Sequence, residues 1–138
     1  MAYKRLFLDR DVLLDVLLQR EPFSFYSQIL VSECEDRKLS LNTSALAIAN
    51  IHYILRKKVG ATTAKNIVGK LIKEINILTF EHENIKQALL SPFNDFEDAM
   101  QYNIAERDNC EVIITRNIKD YQQATIPVLT AEQFLRTL

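Results

Sequence analysis

Short apolar runs alternate along this chain with longer segments whose apolar residues recur every three or four positions. A short apolar run is typical of a buried strand, and the longer spacing is typical of an amphipathic helix. When strands alternate with helices along a chain, the strands usually pair in parallel, and the helices pack on both faces of the sheet. The pattern therefore predicts an α/β fold with a mostly parallel central sheet.

The predicted elements cover most of the chain. The strands are expected at 6–8, 39–42, 75–78, 111–115 and 127–129. The helices are expected at 12–18, 23–37, 45–58, 62–74, 82–90, 95–107 and 130–138, with Asp11, Ser44 and Asp95 as candidate N-terminal caps. Only two glycines and three prolines occur in 138 residues, which leaves little room for linkers. We therefore expect a single domain over residues 1–138.

Composition excludes several classes of protein. A net charge of −1 argues against a protein that coats nucleic acid through bulk positive charge. Two cysteines are too few for the disulfide framework of a secreted protein, so Cys34 and Cys110 are expected as buried thiols. No signal peptide and no membrane-spanning stretch is evident, which predicts a cytoplasmic protein.

Two further sets of residues have ordinary interpretations. Basic residues gather on one predicted helical hairpin, where they form either a solvated face or a surface that follows an RNA backbone; they are Arg56, Lys57, Lys58, Lys65, Lys70 and Lys73. Five aromatic residues fall on apolar faces and are expected in the core, namely Phe7, Phe25, Tyr53, Phe80 and Phe134.

Three acidic segments lie at predicted strand ends or helix starts: 9–11, 95–98 and 115–120. Asp9 ends the first strand, and Asn117 and Asp120 follow the fourth. Ligands of open α/β sheets gather outside the carboxyl ends of the strands. Carboxylates that converge there suit Mg²⁺, which can activate water and stabilise the charge that develops on a phosphodiester.

The same acids have purely structural interpretations. Asp11 and Asp95 are suitable helix caps, and Asp98 lies in a first helical turn, where negative charge favours the helix dipole. Asp120 fits a turn. The residue pattern alone leaves both interpretations open.

The order of three segments resembles the PIN domain family. Residues 6–18 (LFLDRDVLLDVLL) are similar to the opening of these domains, where a strand ends in Asp-Thr-Asn and leads into an apolar helix. Residues 95–102 (DFEDAMQY) are similar to the third acidic segment of the family. Residues 113–121 (IITRNIKDY), followed by 126–130, are similar to its C-terminal segment. Within the family, the VapC-like toxins of toxin–antitoxin pairs are the most similar group.

The resemblance implies a three-layer α/β/α sandwich and a Mg²⁺- or Mn²⁺-dependent endoribonuclease. It implies that Asp9 and Asp98 are the first and third acids, and that Asn117, or Asp120 beside it, takes the fourth position. Thr115 would orient the first acid by a hydrogen bond. The implied partners are RNA and an antitoxin protein, and the implied assembly is a homodimer.

Two departures from the family pattern bear on activity. The second acid of the family is a Glu, and Asn50 stands in its place here. The usual Thr-Asn after the first acid is Arg10-Asp11. Losing a charged ligand weakens metal binding, so we expect a weakly bound ion. Arg10 would compete with a cation or hold a phosphate, whereas Asp11 would restore one negative charge.

Two hypotheses of different class follow. The first is a PIN-type RNA hydrolase with weakened activity. The second is a degenerate PIN fold that binds RNA or a protein without cleaving. A phosphohydrolase or small-ligand protein on a flavodoxin-like sheet is a third, minor alternative, which the missing glycine-rich phosphate loop disfavours.

Overall fold

The computed structural model describes residues 3–138, in which five strands form one sheet. The strands are β1 (Arg5–Leu8), β2 (Ser40–Ser44), β3 (Asn76–Leu78), β4 (Val112–Ile114) and β5 (Val128–Leu129). Their order across the sheet is β3-β2-β1-β4-β5, and every neighbouring pair is parallel. The predicted α/β class and parallel sheet are confirmed.

The strand order creates a crevice beside β1. The chain proceeds from β1 to β2 and β3 on one side, and then adds β4 and β5 on the other. Leu8 at the end of β1 is in register with Ile114 at the end of β4. The order therefore reverses between β1 and β4, which is where open α/β sheets bind ligands.

Seven α-helices cover the sheet in residues 3–138: α1 (Arg10–Leu17), α2 (Phe23–Asp36), α3 (Ala45–Val59), α4 (Ala61–Glu74), α5 (His82–Leu90), α6 (Phe96–Arg107) and α7 (Ala131–Leu135). In β1, Leu6 and Leu8 pack on one core with residues of α1, α2, α3, α4 and α7, while Phe7 packs on a second core with residues of α6. α5 packs on α6 through a third cluster. Helices therefore lie on both faces, and the three-layer α/β/α sandwich is confirmed.

Some helices and strands begin or end at residues other than the predicted ones, because local hydrogen bonds set their ends. The first helix begins at Arg10, because the cap is Asp9, whose carboxylate accepts the Arg10 N–H; the prediction of Asp11 as the cap was wrong. β2 runs on to Ser44 because its last residues pair with β3. The last helix ends at Leu135 rather than at residue 138, and a short 3-10 turn at Ile118–Tyr121 was not predicted.

The predictions of buried side chains were mostly right. Phe7, Phe134 and both cysteines are buried. Phe25 and Tyr53, however, are 57% and 59% exposed, so their assignment to the core was wrong. α2 turns its small residues Ser24 and Ser27 inward, which lets the helix lie close to its neighbours.

No helix within residues 3–138 is long and apolar enough to cross a membrane.

Candidate active site

Asp9 is fixed at the carboxyl end of β1 by hydrogen bonds to both carboxylate oxygens. Its Oδ1 accepts the backbone N–H of Arg10 at 2.8 Å, and its Oδ2 accepts the Thr115 hydroxyl at 2.9 Å. The Asp9 backbone N–H donates to the Ile114 carbonyl at 2.9 Å. Asp9 thus bridges the ends of β1 and β4, and the hydrogen bond from Thr115 fixes its rotamer.

Asp98 lies in the first turn of α6. Its backbone N–H donates to Asp95 Oδ1 at 2.8 Å, so Asp95 is the helix cap, as the sequence indicates. Burial raises the pKa of the Asp98 carboxyl to about 7, and the negative charges of Asp95, Asp9, Asp120 and Glu97 add to the increase. The acids from β1, α6 and the 3-10 turn are therefore close enough to repel one another.

A small pocket joins α6 to the segment that follows β4. It has a volume of about 80 Å³ and is lined by Asp98, Asp120 and Lys119, together with Asn94, Asp95, Gln122 and Gln123. Asn117 is exposed at the start of the 3-10 turn, and its backbone N–H donates to the Thr115 hydroxyl oxygen at 3.1 Å. The Thr115 hydroxyl thus forms hydrogen bonds with both Asp9 and Asn117.

Glu97 lies beside the candidate site, and the sequence did not single it out. Its Oε1 accepts the side-chain amide of Asn50 at 3.0 Å and the Nη1 of Arg10 at 3.2 Å. Asn50 and Arg10 both stand at positions where the chain departs from the family pattern. The one available signal was the adjacent Glu97-Asp98 pair, which a helix dipole also explains.

Tyr121 was also missed as part of the site. The side chain is buried, and its hydroxyl has no hydrogen-bond partner among the described residues. Burial raises the pKa of the Tyr121 hydroxyl well above its usual value, and the charges of Asp9, Asp98, Asp120 and Glu97 raise it further. The unpartnered hydroxyl therefore lies beside the acids. Its position directly after Asp120 was the only hint in the sequence.

Asp11 is held by arginines. Its Oδ1 lies 3.6 Å from Arg20 Nη2 and 4.0 Å from Arg116 Nη2. Arg116 also reaches Asp15 at 3.3 Å and stacks over the Phe23 ring. The negative charge of Asp11 is thus compensated within an ion-pair cluster and is not free to replace the charge that Asn50 lacks.

Comparison with known proteins decides the family. A sequence model described as "PIN domain" matches residues 5–119.

The chain belongs to the PIN domain family.

Other proteins resemble this PIN domain along most of its length. Ribonuclease VapC1 of Aquifex aeolicus (strain VF5) is 27% identical over 139 residues, covering 97% of this chain and 95% of the relative. VapBC-1 from nontypeable Haemophilus influenzae has a similar fold, with a TM-score of 0.69 at 16% identity over 92% of this chain and 98% of that one. VapC20 of Mycobacterium tuberculosis, described as a Sarcin-Ricin loop cleaving toxin, gives a TM-score of 0.62 at 12% identity over 78% and 86% of the two chains.

The donor groups of this PIN domain fit a hard divalent cation. Asp9, Asp98 and Asp120 offer carboxylate oxygens, and the orphaned Tyr121 hydroxyl lies beside them. Within residues 3–138, no three Cys, His, Asp or Glu side chains are already gathered closely enough to enclose an ion. An enclosing set is not required, because Mg²⁺ keeps several waters and takes one or two carboxylates directly.

Proposed function

We propose that this PIN domain is a metal-dependent endoribonuclease and the toxin of a toxin–antitoxin pair. The observation that carries the proposal is the convergence of Asp9, Asp98 and Asp120 beside the crevice where the strand order reverses. The names of the Aquifex relative, a ribonuclease, and of the Mycobacterium protein, a Sarcin-Ricin loop cleaving toxin, support it.

Each residue of the proposed site has a distinct task. Asp9 and Asp98 would hold Mg²⁺ or Mn²⁺, with Asn117 or Asp120 as the further ligand. When bound, such an ion supplies Lewis acidity, which activates water and neutralises charge on a phosphodiester. Thr115 keeps Asp9 in one rotamer through its hydroxyl. Lys119, which lines the pocket beside Asp98 and Asp120, would attract the phosphate of the substrate.

The four family positions by themselves would make a weak metal site. Asn50 and Asn117 are neutral, so these positions carry the two charges of Asp9 and Asp98 only. Lower ligand charge reduces the affinity for a divalent ion. Judged on those positions alone, we propose a weakly held ion and reduced activity.

The proposal extends to the partner protein, the assembly and the location in the cell. One structure with this fold is described as a toxin–antitoxin complex and others as VapBC, which supports an antitoxin as partner. A homodimer and a cytoplasmic location are part of the same proposal, and the two buried free thiols suit a reducing compartment. All five strands share one sheet, which supports a single functional domain over residues 1–138.

The test is cleavage of a panel of structured RNAs by the purified protein with Mg²⁺, with Mn²⁺ and with a chelator. We expect ion-dependent cleavage that Asp98→Asn reduces by about a hundredfold or more, because it removes a charged ligand. Asp36→Asn is the matched control, since Asp36 is exposed at the end of α2. Equal cleavage by Asp98→Asn and the parent would place the activity elsewhere or in a contaminant.

One feature supports a binding module as the second candidate. Tyr53 is exposed on α3 with the Lys57 ammonium 4.3 Å from its ring centroid, next to further basic residues of the α3–α4 hairpin. An exposed aromatic ring among basic residues suits single-stranded RNA. Salt-sensitive RNA binding with no cleavage under any ion condition would favour this candidate.

A further inference from the structure

We propose that Glu97 supplies to the divalent cation the carboxylate that Asn50 lacks, so that the acidic set of this chain is rearranged rather than reduced. The inference rests on the proposed metal site.

The first observation is the contact between the two side chains. The Asn50 amide donates to Glu97 Oε1 at 3.0 Å, so the Glu97 carboxylate lies one hydrogen bond from the side chain that stands at the second acidic position. Asn50 comes from α3 and Glu97 from α6, so they are neighbours only through tertiary structure. A Glu at position 50 would have to share this space with Glu97, and the two like charges would repel.

The second observation ties Glu97 to the first acid. Arg10 donates its backbone N–H to Asp9 Oδ1 at 2.8 Å, and its guanidinium donates to Glu97 Oε1 at 3.2 Å. Arg10 and Asn50 both use Oε1, and no side chain among residues 3–138 donates a hydrogen bond to Oε2. The Glu97 side chain is 39% exposed, so an incoming ion can reach part of it. Arg10 and Asn50 therefore hold this carboxylate in place and leave one of its oxygens available.

The third observation is a pair of unsatisfied polar groups. The buried Tyr121 hydroxyl has no partner in the described part of the chain, and neither has the buried Gln101 Nε2. Gln101 lies one helical turn after Glu97, on the same side of α6. Native interiors rarely leave such groups without a partner, so both indicate that waters or an ion with its waters complete the site.

The number of carboxylates at the site then equals that of an intact acidic set, and the Arg10 guanidinium beside Glu97 offsets one of their charges. Asp9 and Asp98 supply two negative charges, and Glu97 supplies a third. Asp120, which shares a pocket with Asp98, supplies a fourth. On this inference the substitution of Asn50 does not abolish metal binding, because the acid has moved to a different helix.

Metal affinity tests the inference without depending on activity. Mn²⁺ binding would be measured by the decrease of the free-ion electron paramagnetic resonance signal, for the parent and for Glu97→Gln. We expect Glu97→Gln to weaken binding by about tenfold or more, because even the loss of a residue that only supports the ligands typically costs that much affinity. Glu33→Gln is the matched control, because Glu33 forms only an exposed pair with Arg37. Thermal unfolding without metal shows whether each variant is folded.

Exchanging the two residues separates a ligand from a structural partner. Asn50→Glu combined with Glu97→Gln reverses the donor and acceptor of the hydrogen bond and moves the carboxylate to α3. We expect this double variant to recover most of the affinity that Glu97→Gln loses.

Several results would overturn the inference. If Glu97→Gln binds Mn²⁺ like the parent while Asp98→Asn does not, Glu97 only pairs with Arg10, and the proposed function stands. If the exchanged pair fails to recover binding, Glu97 does not substitute for the missing acid. If Asp98→Asn also binds like the parent, the proposed metal site itself is wrong.

Discussion

The Asp98 carboxyl changes its protonation state near neutral pH. Half-burial and four neighbouring carboxylates raise the pKa of its side chain from 3.8 to about 7. The folded protein therefore holds this proton more tightly than the unfolded chain does. Without a metal ion, Asp98 makes the protein less stable as the pH rises from about 4 to about 7.

Because ionised Asp98 lowers the stability of the metal-free protein, a prediction follows for Asp98→Asn in the presence of a chelator. The variant cannot ionise, so its free energy of unfolding relative to the parent should improve between about pH 5 and about pH 8. Urea unfolding of both proteins at the two pH values measures the change. Parallel pH profiles would contradict the raised pKa of Asp98. Adding Mn²⁺ at the higher pH should favour the parent, because a cation offsets the repulsion among the carboxylates.

At the scale of elements, an ion-pair cluster joins the helices to the strand that leads into Thr115. Asp15 of α1 is 1% exposed and pairs with Arg20, just before α2, at 2.9 Å. It also pairs with Arg116, which follows Thr115 directly, at 3.3 Å. Arg116 stacks on Phe23 of α2. Arg116, which lies between Thr115 and Asn117, thus fixes this segment against α1 and α2.

Asp15→Ala should therefore destabilise the protein considerably. It leaves two arginines without their buried partner, which costs about 3 kcal/mol of unfolding free energy. Urea unfolding measures the decrease, with Glu33→Ala as the control, since its exposed pair with Arg37 should contribute no more than about 0.5 kcal/mol. A decrease for Asp15→Ala as small as that of the control would show that the cluster adds nothing to stability.

At the scale of the whole molecule, the candidate site and a group of basic residues lie on different elements. Asp9, Asp98 and Asp120 lie beside the carboxyl edge of the sheet, while basic residues gather on the α3–α4 hairpin, with Arg56, Lys57 and Lys58 in the last turn of α3. The Asp98 pocket contains only one basic residue, Lys119. An RNA that reached the acids would thus make most of its phosphate contacts elsewhere, and the hairpin is a suitable surface.

We predict that Lys57→Ala with Lys58→Ala weakens RNA binding and makes it less sensitive to salt. Removing one lysine–phosphate ion pair should reduce the slope of log affinity against log salt concentration by about 0.7 for single-stranded RNA. Fluorescence anisotropy at several salt concentrations measures the slope. Lys4→Ala with Lys86→Ala removes the same charge from other surfaces and should have less effect. Equal slopes for the two double variants would show that the hairpin is only a solvated face.

The sequence alone determined those features that depend on neighbours within one turn or one strand. Helix periodicity located α2, α3 and α5 closely. Ser44 and Asp95 were predicted as caps from their residue types, and their side chains accept N–H groups three residues ahead. The strand–helix alternation predicted the parallel sheet, and the family pattern predicted the hydrogen bond from Thr115 to Asp9. The cap of α1 was missed because Asp9 and Asp11 are chemically identical, and only the path of the chain out of β1 distinguishes them.

Only the tertiary structure decided which side chains meet. Asn50, Glu97 and Arg10 are far apart in sequence, and their contact depends on how α3, α6 and the end of β1 pack around one edge of the sheet. The burial of Tyr121 beside the acids, and the diversion of Asp11 into pairs with arginines, depend on packing in the same way. Local sequence fixes the conformation of a segment through hydrogen bonds within a few residues, whereas the charge of the site depends on contacts between segments that only the complete fold brings together.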